Sequence, residues 1–166
     1  MAERSYVARR CVRLLLVLAS LSAAAGCSSA PKVPFFSPKP TIITATIDAA
    51  ATVNPDANGR PSPIVMRMFE LRSIAAFNNA DFFSLWDRER EVLSAEMTAR
   101  DEFQLRPGDQ KKFERTLQPE TRYVGVIAAF RDLDRAGWRA TAPIIVNQKQ
   151  PINIRLDARS ISVAGK

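Results

Sequence analysis

One cysteine near the start of the chain has the surroundings of a residue that receives a covalent modification. Cys27 follows an apolar stretch, residues 14–25, and small residues occupy the three positions before it. A basic segment precedes that stretch and carries four arginines, Arg4, Arg9, Arg10 and Arg13. This order is typical of a lipoprotein signal peptide, which is cleaved before a cysteine that carries lipid. We therefore expect residues 1–26 to be removed and Cys27 to be lipidated.

Other export signals compete with this interpretation. Ala24 stands where bacterial lipoboxes usually carry leucine, and a plain secretory signal would leave Cys27 as a free thiol. The Arg9-Arg10 pair resembles part of a twin-arginine signal, but no Phe-Leu follows it, which favours the general secretory route. Ser28 is not the aspartate that retains many lipoproteins in the inner membrane, so outer-membrane sorting is favoured.

Several kinds of catalytic and metal site need residues that this sequence lacks. Histidine is absent, and Cys27 is the only cysteine outside the predicted signal peptide. Ser-His-Asp and Cys-His catalysis, thiolate or imidazole metal sites and an internal disulfide are therefore excluded. We expect no enzymatic activity, no metal and no cofactor other than the covalent lipid on Cys27.

Carboxylates are the remaining candidates for chemistry. Asp132 and Asp134, brought close to Asp81 or Asp87, would form the pair that glycan hydrolysis requires. Residues 131–137, however, alternate in charge and end in glycine, which indicates a connection between two strands.

A calcium loop is also suggested and then excluded by the sequence. Asn54, Asp56 and Asn58 have the spacing of its first ligands, but Pro55 interrupts them and the twelfth position is Val65, which is not acidic.

Two tryptophans allow a different function class. We expect Trp86 and Trp138 to pack in the core, but Trp138 at the surface would favour a lipid-anchored module that binds a small molecule or glycan.

Composition limits the partners. Loss of residues 1–26 removes four arginines and one glutamate, which lowers the formal charge of +7 by three. The other basic residues are scattered among acidic ones, which argues against nucleic acid as a partner. The 140 residues that remain suit a single domain.

The elements are predominantly strands. Residues 27–40 contain four prolines and form a tether whose reach is on the order of 40 Å. The domain, residues 41–166, has one or two short amphipathic helices at 75–91, with Asp81 as N-cap. Period-two patterns predict strands at 41–50, 63–71, 95–105, 111–117, 122–131, 138–146 and 152–163. About seven or eight strands with a helical insertion indicate a mostly β protein, an antiparallel β-sandwich, with a barrel as the lesser alternative.

In this order the segments resemble the outer-membrane lipoprotein of the type VI secretion system, the TssJ (SciN) family. Besides the lipobox, the resemblance is carried by Asn54-Pro55-Asp56-Ala57-Asn58-Gly59-Arg60-Pro61-Ser62-Pro63, Phe69-Glu70-Leu71, Phe77, Asp81-Phe82-Phe83-Ser84-Leu85, Leu105-Arg106-Pro107-Gly108, Ala128-Ala129-Phe130-Arg131-Asp132-Leu133-Asp134 and Trp138-Arg139.

The resemblance implies a transthyretin-like sandwich held under the outer membrane by lipid on Cys27, with the domain facing the periplasm. It implies an anchor that binds the periplasmic C-terminal region of TssM, with TssL in the same complex and no small-molecule substrate. The family's loop between the first two strands takes part in that contact, and here it consists of Asn54, Pro55, Asp56, Ala57, Asn58, Gly59, Arg60, Pro61 and Ser62. Prolines limit the unbound conformations of such a loop, which reduces the entropy lost on docking. An ordinary surface loop is the alternative.

Overall fold

The computed structural model describes residues 38–165, in which eight strands form two sheets. The strands are β1 (Ile42–Ala49), β2 (Ile64–Leu71), β3 (Met97–Leu105), β4 (Gln110–Thr116), β5 (Tyr123–Ala128), β6 (Arg139–Pro143), β7 (Lys149–Leu156) and β8 (Ile161–Gly165). The predicted signal peptide, Cys27 and the tether up to residue 37 lie outside the described residues. None of the described helices is long and apolar enough to cross a membrane.

The two sheets have the strand orders β4-β1-β7-β8 (sheet 1) and β3-β2-β5-β6 (sheet 2). All neighbouring strands are antiparallel except β1 and β7, which run in parallel. This architecture confirms the predicted β-sandwich. The prediction of one strand over residues 152–163 is wrong in one respect. Asp157 N donates to Ser160 O (2.8 Å) in a turn that separates β7 from β8. The apolar alternation continues across that turn and conceals it.

The main core lies between the sheets and follows from alternation along the strands. In β1, Ile43, Ala45 and Ile47 are fully buried while the residues between them face outward. The same alternation buries Ile152, Ile154 and Leu156 of β7, as the sequence predicts. The central strands β1 and β7 of sheet 1 therefore each contribute one apolar face to the core, and their other face is more open to solvent.

A second core covers the outer face of sheet 2. Three short helices pack there: α1 (Ala75–Asn79), α2 (Phe82–Asp87) and α3 (Glu89–Leu93). The apolar residues buried between them and the sheet are Phe69, Leu71, Phe77, Leu85, Leu93 and Ile127. Because of this layer, β5 is buried on both faces.

Polar contacts fix the helices at both ends. The predicted cap is confirmed: Asp81 Oδ1 accepts a hydrogen bond from Ser84 N (2.9 Å) at the start of α2. Arg139 of β6 donates to the carbonyls of Phe77 (2.7 Å) and Ala80 (2.8 Å), where α1 ends. A cation beside the last carbonyls of a helix is favourable because it complements the helix dipole.

Both tryptophans belong to this helical layer. Trp86 stacks on Phe82 with 5.3 Å between ring centroids, and the guanidinium of Arg67 lies 4.0 Å from the Trp86 ring. Arg67 also donates to the Trp86 carbonyl. Trp138 is half-buried, contacts both cores and meets Phe82 edge-on at 5.4 Å. Trp138 thus attaches the helices to the sheet.

One buried charge links the two sheets. Glu70 at the end of β2 is 2% exposed and accepts hydrogen bonds from Gln118 N (2.9 Å) and Thr121 Oγ1 (3.0 Å). Arg115 of β4 lies 3.3 Å from Glu70 and 2.7 Å from Asp101. A buried carboxylate needs such partners, because its desolvation is otherwise costly.

Close packing of α1 on β5 requires Gly125. A Cβ at this position would lie 2.8 Å from Leu71 Cδ1 and 2.9 Å from Phe77 Cζ. We expect Gly125→Ala to lower the free energy of unfolding by about 1–3 kcal/mol through overpacking, measured by urea denaturation. Gly165→Ala is the control, because its Cβ would meet Ile152 Cδ1 at an ordinary 3.5 Å. Equal midpoints for the two variants would contradict this account.

Candidate functional site

Four connections meet at one end of the sandwich, which we call the distal end: residues 50–63, 106–109, 129–138 and 157–160. Backbone hydrogen bonds join them, from Gly108 N to Ala49 O (3.0 Å) and from Asn54 N to Ala158 O (3.0 Å). The chain enters the domain through residues 38–41 at the opposite end, before β1. Since β1 has eight residues, roughly 25 Å separate the two ends.

Asn54 fixes the base of the predicted partner loop, residues 54–62. It is buried, and its backbone has a left-handed φ of 52°. Its Nδ2 donates to Pro63 O (2.8 Å) and its Oδ1 accepts from Arg131 N (2.8 Å). One side chain therefore joins the loop to the connection between β5 and β6.

Asp56 organises the turn inside the loop. Its Oδ1 accepts from the backbone amides of Asn58 and Arg60, both at 2.9 Å, and its Oδ2 accepts from Arg60 Nε at 2.9 Å. Gly59 completes the turn with a φ of 79°, which favours glycine. The hydrogen bond from the Arg60 amide is the main cause that lowers the pKa of the Asp56 carboxyl. The carboxylate therefore stabilises the loop above its unfolded pKa, and this stabilisation is lost as the pH falls through the lower folded value.

The nine predicted residues divide into a fixed base and an exposed crest. Asn54 and Ser62 are buried, and Pro55 and Asp56 are half-buried. The exposed crest consists of Ala57, Asn58, Gly59, Arg60 and Pro61. Only the crest and its flanks are accessible for contact with another molecule.

A cleft of about 360 Å³ lies beside the loop. Its lining residues are Pro55, Asp56, Ala57, Arg131, Asp132, Arg135 and Arg159. Asp132 Oδ2 lies 3.0 Å from Arg135 Nε and 3.2 Å from Arg159 Nε. The sequence of residues 131–137 indicates a charged connection, but it does not reveal this cluster. No local pattern could have found it, because Arg159 comes from the connection between β7 and β8.

Two carboxylates of this end, Asp56 and Asp132, are held by arginine or backbone groups. Asp56 and Asp132 both pair with arginine, and hydrogen bonds from Ser84 lower the pKa of the cap residue Asp81. A glycosidase acid needs the opposite shift, a raised pKa. Within residues 38–165, no group of three or more His, Cys, Asp or Glu side chains is arranged to hold a metal ion. The arrangement at the distal end suits recognition by hydrogen bonds and charge.

A second cleft, of about 570 Å³, lies at the opposite end and is lined by Pro38, Lys39, Pro40, Thr41, Thr116, Leu117, Gln118, Pro119, Arg122, Val146 and Asn147. Neither cleft contains an aromatic side chain, whereas sugar-binding pockets rely on them.

Comparison with known proteins identifies a family over most of the sandwich. Residues 41–159 match the family model T6SS-SciN, described as type VI secretion lipoprotein, VasD, EvfM, TssJ. No curated protein matches the chain.

Solved structures give the same result. The T6SS lipoprotein TssJ1 from Pseudomonas aeruginosa is 38% identical with a TM-score of 0.74, covering 76% of this chain and 97% of that one. Serratia marcescens Lip, a membrane-bound component of the type VI secretion system, is 31% identical with a TM-score of 0.69, covering 76% and 98%. A chain in a structure described as the T6SS protein TssM C-terminal domain from EAEC is 21% identical, with a TM-score of 0.61 and coverage of 74% and 99%, and shares the fold.

The role of Asn54 in fixing the loop is testable with two substitutions. Asn54→Gly removes both side-chain hydrogen bonds but accepts the left-handed φ, and we expect a loss of about 1–3 kcal/mol in the free energy of unfolding. Asn54→Ala should cost more, because alanine disfavours that φ. Urea denaturation measures both, and hydrogen exchange at the Arg131 amide reports the freed donor. Wild-type exchange at Arg131 in either variant would contradict this role.

Proposed function

Since this chain belongs to the type VI secretion lipoprotein family, TssJ (SciN), we propose that it anchors the trans-envelope complex of that system to the outer membrane. Membership confirms the resemblance noted in the sequence. The family is a structural lipoprotein component of the secretion system, which implies attachment to a membrane. We propose outer-membrane lipid on Cys27, a domain facing the periplasm and no enzymatic activity.

The proposed partner is the periplasmic C-terminal region of TssM, with TssL in the same complex. The likeness in fold to a chain from a TssM C-terminal domain structure supports this choice. The observation that carries the proposal is the distal loop, since an exposed crest stands on a base fixed by Asn54 and Asp56. A pre-ordered loop loses little conformational entropy on binding, which favours a lasting attachment.

The two ends of the sandwich fit the two tasks of an anchor. The tether joins the domain at residues 38–41, and the loop lies at the distal end, roughly one strand length away. The point where the tether joins the domain, residues 38–41, therefore leaves the crest free for a partner. The alternative, a module for a glycan or small molecule, has no support from either cleft, because neither contains an aromatic residue.

Substitutions in the crest test the partner assignment. We expect Ala57→Trp combined with Asn58→Trp to weaken binding of the TssM periplasmic region by at least about tenfold, because two bulky side chains disrupt a fitted interface. Neither side chain fixes the loop, so the urea midpoint should not change. Affinity is measured by calorimetry with the two purified proteins.

The matched control is Glu120→Trp, an exposed change in the connection between β4 and β5 at the opposite end. Unchanged affinity in the crest variant, or an equal loss in the control, would rule out the loop as the contact.

The lipid anchor is tested by Cys27→Ser, which removes the acylated thiol. Each buried CH₂ of an acyl chain contributes about 0.8 kcal/mol, so its loss should release the domain from the outer-membrane fraction. We expect the variant to keep binding TssM and to abolish secretion by the system, measured by membrane fractionation, pull-down and an effector-release assay. Secretion at the wild-type level would refute the anchoring role of Cys27.

A further inference from the structure

We propose that the distal cleft is a docking site for a carboxylate side chain of the bound protein, with Arg131 as the principal contact and Arg135 and Arg159 beside it. This inference rests on the proposed function, because it concerns the chemistry of the TssM surface that reaches the distal end. It extends the contact beyond the loop to two further connections of the sandwich.

Arg131 carries the charge that the cleft does not neutralise. Its side chain is exposed, and within residues 38–165 it forms neither an ion pair nor a hydrogen bond. Its backbone is nevertheless fixed, because the Arg131 amide donates to the buried Asn54 side chain at 2.8 Å. The guanidinium therefore projects from a held position and has all five N–H donors available.

The two neighbouring arginines are oriented by Asp132. Arg135 and Arg159 each contact this carboxylate through Nε, at 3.0 and 3.2 Å. Their terminal nitrogens have no hydrogen-bond partner in the described part of the chain. Planar guanidinium groups with free terminal N–H pairs match a carboxylate in a bidentate arrangement.

The charge balance of the cleft favours an acidic residue of the partner protein. Asp56 is already occupied by Arg60 and two backbone amides, and Asp132 is shared by two arginines. Arg131 is thus left in excess, next to a cleft of about 360 Å³, which accommodates one side chain and its immediate neighbours. The lining carries three arginines and two carboxylates, a net positive charge that favours an acidic partner residue over a basic one.

A protein carboxylate fits this position better than a lipid headgroup. The cleft belongs to the distal end, and the segment leading to Cys27 joins the domain at the other end, roughly 25 Å away along β1. The arginines therefore lie at the end farthest from the point where the tether joins the domain, where a protein partner can approach them.

The test measures affinity for the TssM periplasmic region with the lipidated protein reconstituted in neutral phosphatidylcholine vesicles. We expect Arg131→Glu to weaken binding by about tenfold or more, because it places like charges together. Arg131→Gln should weaken binding less and should reduce the salt dependence of the affinity between about 0.05 and 0.5 M NaCl. The Arg131 side chain forms no hydrogen bond or ion pair with the residues that the structure describes, so both variants should unfold near the wild-type urea concentration.

Arg90→Glu is the matched control, since it makes the same change of charge at an exposed site on α3. Equal affinities for wild type, Arg131→Glu and Arg90→Glu would overturn the docking site while leaving the TssM assignment intact. Failure of the wild-type protein to bind TssM would instead refute the proposed function.

A lipid ligand is the remaining outcome. Vesicles that contain phosphatidylglycerol would then compete with TssM for the wild-type cleft, and Arg131→Glu would abolish the competition. That result would overturn the proposal in favour of an anionic headgroup.

Discussion

The two central strands of sheet 2, β2 and β5, bury residues on both faces, and much of the molecule depends on this constraint. One face meets sheet 1 and the other needs a cover, which three helices of five or six residues provide. Such helices are too short to be stable alone, so their order comes from the sheet. Phe77 fits against Gly125, and Arg67 and Arg139 bind carbonyls at the ends of α2 and α1. The helical layer and the sheet therefore form one cooperative unit.

Sheet 1 is built differently from sheet 2. Its central strands β1 and β7 alternate strictly between buried and more exposed residues, so their outer face needs no cover. The Glu70 network ties its edge strand β4 to sheet 2. With both sheets fixed in this way, the distal connections rest on a rigid support and add side-chain hydrogen bonds of their own. These connections also contribute to the cores, since Val53 and Phe130 are buried in the main core and Trp138 contacts both cores.

Local pattern predicted most of the fold, and contacts distant in sequence account for what it missed. Alternation in β1 and β7 and the cap at Asp81 are properties of neighbouring residues, and both predictions are confirmed. The parallel pairing of β1 with β7 joins segments about a hundred residues apart, and no hydrophobic periodicity along the chain reveals such a pairing. The Pro, Asn and Gly content of residues 54–62 predicted a loop there. The arginine cleft could not be predicted from the sequence, because three separate connections supply its residues.

The place of β1 has a mechanical consequence. It is a central strand, hydrogen-bonded to β4 on one side and to β7 on the other. Tension applied between the tether and the distal loops would run along this strand, perpendicular to its interstrand hydrogen bonds. Such a load acts in shear, so both ladders must fail together and cannot open one bond at a time. A domain pulled in this direction resists extension without a disulfide, because its two flanking strands share the force.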